Sequence, residues 1–125
     1  MLVDTDVLVW YMRGNEKAKR AIINLKSFSI SVVTYIELVQ GLRNKEELNV
    51  LRNSLKEWNA DIIYINEEIS TKAMFLVEQY YLSHSIQLAD ALIGATTVIN
   101  GLPLLTSYTK HYKKIKNIII NKFHP

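Results

Sequence analysis

Apolar positions along this chain switch repeatedly between a short, strand-like rhythm and a helical one. Leu2 and Val3 make a short apolar strand, ended by the polar pair Asp4 and Thr5 before a second apolar run from Val7 to Met12, which predicts strand, turn, helix. Arg13-Gly14-Asn15 breaks the pattern, and Ala18, Ala21, Ile22 and Leu25 then recur at helical spacing within Glu16 to Leu25. Phe28 to Val33 reads as a strand from its β-branched residues, and Tyr35 to Leu42 turns helical before Gly41 and Asn44 loosen it. Leu48, Leu51 and Leu55 stripe a helix over Glu46 to Trp58, and Ile62 to Ile65 is a short strand. Glu67 to Leu82 and Gln87 to Ile99 predict two more helices, Leu104-Leu105 a buried strand, and Ile118 to Ile120 a last one. Strands separated by helices need crossover connections. The expected fold is therefore α/β: a three-layer α/β/α sandwich around a mainly parallel sheet, with residues 1–125 as one domain.

Composition narrows this only a little. Hydrophobic residues make up 49% and charged residues 22%, enough for a packed core and against intrinsic disorder. With no cysteine, disulfides and thiolate zinc sites are excluded, and a reducing compartment fits. Asp4 and Asp6 interrupt the first apolar residues, so no secretory leader is expected. The longest uncharged stretch, Ala91 to Thr109, holds Asn100, Gly101 and Pro103 and does not read as a membrane span; a cytoplasmic protein is expected. The net charge of +3 is mild, but Lys110, Lys113, Lys114, Lys116 and Lys122 crowd the end of the chain, either as a solvated tail or as a surface that tracks phosphate.

Ligands of open α/β sheets gather at the carboxyl ends of the strands, which directs attention to Asp4, Glu37 and Asp90, with Asp6 close to Asp4. Structural roles compete for the first three acids. Asp4 and Asp6 would cap the helix that follows them, and Thr34 with Glu37 fits the Thr-x-x-Glu capping box. Asp90 stands among apolar residues in Leu88-Ala89-Asp90-Ala91-Leu92-Ile93, with no basic partner in the segment. If Ser85 caps that helix, Asp90 lies past its first turn. Burying an unpaired carboxylate is costly, and a cation shared with other acids would compensate it. An all-oxygen site suits magnesium or manganese. His84, His111 and His124 lack zinc-site spacing; His84 reads as a surface or loop residue, while Trp10, Tyr35 and Tyr81 read as core or interface rather than base-stacking platforms.

Four segments in order resemble the PIN-domain family and more closely its VapC branch, the ribonuclease toxins of toxin–antitoxin pairs. They are Leu2-Val3-Asp4-Thr5-Asp6-Val7-Leu8, then Ser31-Val32-Val33-Thr34-Tyr35-Ile36-Glu37-Leu38 with Gly41, then Leu88-Ala89-Asp90-Ala91-Leu92-Ile93-Gly94-Ala95, and last Leu104-Leu105-Thr106 followed by Lys110-His111-Tyr112. The resemblance implies that Asp4, Glu37 and Asp90 are catalytic and hold Mg2+ or Mn2+, with Asp6 and Thr106 supporting them and Lys110 and His111 as RNA contacts. It also implies an RNA substrate cut by metal-activated water to 3′-hydroxyl and 5′-phosphate ends, a cognate VapB-like antitoxin, and homodimers. Tyr108 stands where the family often has a fourth acid or an asparagine, and a phenol is a poor magnesium ligand at neutral pH. That departure puts a second metal in question and leaves open a degenerate fold kept for binding alone. A phosphate-receiver domain also places paired acids after its first strand. It would need an aspartate ending a middle strand and a lysine after a later one, where this chain has Asn66 and Thr106.

Overall fold

The computed structural model describes the backbone of residues 1–125 and every side chain except that of His84, whose expected surface or loop position lies outside the described residues. In chain order the elements are β1 (Leu2–Val3), α1 (Thr5–Met12), α2 (Glu16–Leu25), β2 (Phe28–Ser31), α3 (Val32–Gln40), α4 (Lys45–Glu57), β3 (Ala60–Ile63), α5 (Glu67–His84), α6 (Leu88–Asn100), β4 (Leu104–Thr106), α7 (Thr109–Tyr112) and β5 (Ile120–Lys122). The five strands form one sheet in the order β3-β2-β1-β4-β5, every pairing parallel.

Side-chain alternation in the central strands makes the three layers. Val3 and Leu105 point into a core completed by Val7, Leu8, Ile22, Leu38 and Leu51 from α1 to α4. Their neighbours Leu2 and Leu104 point the other way, onto Ile69, Leu76, Ile93 and Ile115. A period of two thus feeds both faces, the pattern of a sheet buried on both sides. Local chemistry sets the helix starts: Asn15, Asn44 and Asn66 each accept a backbone N–H three residues on, at 2.9 Å. None of the helices, among the described residues, is long and apolar enough to cross a membrane.

Several boundaries differ from the sequence reading. β2 stops at Ser31 instead of Val33, because the Ser31 hydroxyl accepts the Val33 N–H at 3.0 Å and starts α3 at once. β3 spans Ala60–Ile63 instead of Ile62–Ile65, since it pairs residue for residue with β2 and ends opposite Ser31. β5 lies two residues later than expected and includes Asn121 and Lys122; as an edge strand it tolerates polar residues that a hydrophobic pattern overlooks. Gln87 is the residue before α6, so Asp90 sits in the first turn of that helix and not beyond it. The short α7 had no counterpart in the expected elements.

Candidate active site

The chain runs outward from β1 in one direction to β2 and β3, then returns to place β4 on the other side of β1. The carboxyl ends of β1 and β4 therefore flank the point where the strand order reverses, the place where a parallel sheet leaves a crevice. Asp4 ends β1. Its Oδ1 accepts the Thr5 N–H at 2.8 Å, capping α1, and its Oδ2 accepts the hydroxyl of Thr106, at the end of β4, at 2.8 Å. The expected capping role is thus real, and the same side chain also ties the two central strands together. In the first turn of α1, Asp6 Oδ2 accepts the Ser107 N–H at 2.9 Å and the Ser107 hydroxyl, while Asp6 Oδ1 is buried without a hydrogen-bond partner.

Because Ser31 starts α3 early, Thr34 lies inside the helix and the Thr34–Glu37 capping box does not form. Glu37 instead accepts the Thr5 hydroxyl at 2.7 Å, and that hydroxyl lies 2.9 Å from Thr34 Oγ1. Asp90 does have partners, supplied by α7 and not by its own segment: His111 Nδ1 lies 3.4 Å from Oδ2, and the Tyr112 hydroxyl donates to Oδ1 at 3.4 Å. With its side chain 20% exposed, Asp90 opens toward solvent rather than lying sealed in the core.

Asp4, Asp6, Glu37 and Asp90 all line one cleft of about 310 Å³, which they share with Trp10, Arg13, Tyr108, His111 and Tyr112. Larger clefts lie along α5 and between α1 and α4, but each draws its acids from a single helix turn. Of these three clefts, the smaller is the one that gathers carboxylates from separate elements. They line it without closing on a point: among the described residues, no three acidic or histidine side chains are grouped tightly enough to enclose an ion as they stand. Burial, and then the charge of Asp6, push the Asp4 carboxyl up from 3.8 to about 7, against the opposing hydrogen bonds from Thr106, Thr5 and Tyr112. The Tyr112 hydroxyl is pushed up as well, by burial and by the negative charge of Asp4 and Asp90, and stays protonated. A buried acid that resists ionising beside another carboxylate, with an orphaned carboxylate oxygen next to it, is short of positive charge. That donor set fits a hard divalent cation.

A family model described as the PIN domain matches residues 1–117. This chain belongs to the PIN-domain family. The PIN domain is 33% identical over 117 residues to Ribonuclease VapC1 of Methanocaldococcus jannaschii, covering 93% of this chain and 81% of that one. It is 31% identical to Ribonuclease VapC10 of Mycobacterium tuberculosis, covering 94% and 90%. Among solved structures, it resembles a toxin–antitoxin complex from Klebsiella pneumoniae at 27% identity and a TM-score of 0.75, covering 94% of each chain. The fold is also that of VapBC2 from Rickettsia felis, bound there to a promoter DNA fragment, with a TM-score of 0.81 over 98% of each chain at 21% identity.

Other residues of this PIN domain at the cleft were not singled out by the sequence. Thr5, Ser107 and Tyr112 each hold an acid by hydrogen bonding, although all three fall within or beside the quoted motifs. Trp10 is only partly buried and lines the cleft, so the core reading describes half of it. Arg13 lines it too, its guanidinium 5.9 Å from the Trp10 ring centre. Tyr108 is 54% exposed and faces the cleft, which excludes a place in the core. Lys110 is exposed on α7 and does not line the cleft, whereas His111 does.

Proposed function

We propose that this PIN domain is a divalent-metal-dependent endoribonuclease that acts as the toxin of a toxin–antitoxin pair. The observation that carries the reading is the cleft at the reversal of strand order, which four carboxylates from three helices and a strand end line together and where Asp4 is held from ionising by burial and by Asp6. Asp4, Glu37 and Asp90 would hold Mg2+ or Mn2+, with Asp6 and Thr106 supporting the site. The cation supplies the positive charge that lowers the cost of ionising water and polarises a phosphoryl oxygen. The chain's own groups do the positioning. Thr106 and the Thr5 N–H orient both oxygens of Asp4, Ser107 holds Asp6, and the Thr5 hydroxyl fixes Glu37. Tyr112, kept protonated, donates to Asp90 and orients it. Tyr108 in place of a fourth acid leaves a site suited to one cation.

A separate antitoxin would restrain the enzyme. The cleft's surplus of carboxylates favours a partner segment carrying arginine, which pairs with carboxylates bidentately. For the homodimer, the supporting feature is α5, where Met74, Phe75, Tyr81 and Leu82 are exposed within one face of the helix. The test is expression without an antitoxin, followed by sequencing of RNA ends. Growth arrest with cuts leaving 5′-phosphates is the expected result; harmless accumulation of folded protein would overturn the proposal in favour of a binding-only fold.

A further inference from the structure

β3 is one end of the sheet, so the row of backbone N–H and C=O groups along its outer side has no partner strand. Alternation puts Ala60, Ile62 and the following Tyr64 on one side of the strand and Asp61, its single charge, on the other. Ala60 and Ile62 pack toward the core of α1 to α4, whereas Ile63 packs toward the opposite core. Ala60, Ile62 and Tyr64 line an open groove of about 620 Å³ that α3 and α4 wall in. At one end of it Tyr64 is 68% exposed and Ile36 of α3 51%, an apolar platform beside the open edge. The charges in the groove are Arg52 and Lys56 of α4, both exposed. Among the described residues no acid lines the groove, and neither cation has an ion-pair partner.

The spacing of these cations matches the edge. Asn59, in the left-handed region, reverses the chain between α4 and β3, so the helix runs back beside the strand. Residues four apart on a helix are separated by a rise of about 6 Å. Alternate residues of an extended chain are separated by about 6.6 Å. Arg52 and Lys56 therefore stand at the spacing of two alternate side chains on a strand laid along β3. Such a strand would complete the hydrogen bonds of the edge, while the side chains facing the groove would supply specificity. We propose that the β3 edge docks an extended segment of a partner protein. That segment bears carboxylates at two alternate positions, facing Arg52 and Lys56, and an apolar side chain next in the alternation, over Ile36 and Tyr64. The surface is separate from the acidic cleft, and the inference does not rest on the ribonuclease reading.

The test is fluorescence anisotropy on the full chain with the labelled peptide acetyl-Val-Thr-Glu-Thr-Glu-Thr-Val-amide, whose pattern is the same in both strand directions. Binding is expected, with amide hydrogen exchange slowed within Ala60 to Ile63. Arg52→Gln combined with Lys56→Gln should weaken binding about tenfold and leave the melting temperature unchanged, and glutamines in place of the peptide's glutamates should weaken it equally. Backbone N-methylation separates strand addition from simple charge attraction, because successive amides of a strand point to opposite edges. Methylating the three threonines in one peptide, and the other four residues in a second, should abolish binding in one of the two and spare the other. No binding, equal binding of a peptide with lysines for glutamates, unchanged affinity in the double variant, or tolerance of both methylated peptides overturns the proposal. A dimer that Tyr64→Lys breaks would place a second copy of this chain on the edge and overturn it as well.

Discussion

Asp4 does two things at once, because one carboxyl oxygen caps α1 and the other accepts the Thr106 hydroxyl at the cleft, so a capping role does not remove it from the candidate site. The acids were legible as candidates since carboxylates after strands or amid apolar residues are conspicuous. Their holders were not, because a serine, threonine or tyrosine in such a segment has many ordinary uses. Thr5 is an example: its hydroxyl reaches Glu37, 32 positions away, a contact only the fold creates. Thr5→Val keeps the shape of that side chain and removes the bond. Cleavage should fall about tenfold with the melting temperature nearly unchanged, checked by steady-state kinetics beside a thermal melt. Tyr108→Asp adds a carboxylate at an exposed cleft position, so calorimetric titration should show manganese binding tighter than in the parent. Unchanged affinity would remove Tyr108 from the neighbourhood of the cation.

Among the elements, those with a full period of apolar residues were legible and those set by partners were not. The end of β3 follows β2, and β2 ends where Ser31 begins α3, so a single buried hydroxyl sets two strand lengths. Thr34 with Glu37 offered an equally good capping signature three residues later; Ser31 prevails because its cap is formed as the strand ends, leaving Glu37 free to face the cleft. Ser31→Ala should lower stability by about 1 kcal/mol in a denaturant titration. α7 is too short to show periodicity, yet it supplies both partners of Asp90. It is seated through Gly94 of α6, where an added Cβ would stand 2.7 Å from Ile115 Cδ1 and 3.7 Å from the Tyr112 ring. Gly94→Ala asks only the end of Ile115 to move and regains helix propensity of about 1 kcal/mol. Gly94→Val adds branches toward Tyr112, and should lower both melting temperature and cleavage where the alanine variant does not.

At the scale of the whole molecule, the parallel α/β/α architecture was legible from alternation alone, whereas strand order was not, because nothing local states that β4 returns beside β1. That return is what brings Asp4 and Thr106 together from 102 positions apart. It also fixes a pH dependence. Asp4 takes up a proton in the metal-free fold up to about pH 7, while the unfolded chain releases it near 3.8. The associated stability is full below about pH 4 and lost as pH rises through about 7, an effect on the order of a few kcal/mol. Manganese, by favouring the ionised form, should raise the melting temperature more at about pH 8 than at about pH 5, as paired melts in chelator and in manganese would record. The central claim, that these carboxylates make a metal-dependent ribonuclease, is tested most directly by cleavage of single-stranded RNA across a magnesium titration, comparing the parent with Asp90→Asn. The account predicts cutting that rises hyperbolically with magnesium and stops in chelator, with Asp90→Asn folded yet slower by at least about 100-fold. Equal cutting by both chains, or cutting that persists in chelator, would contradict it.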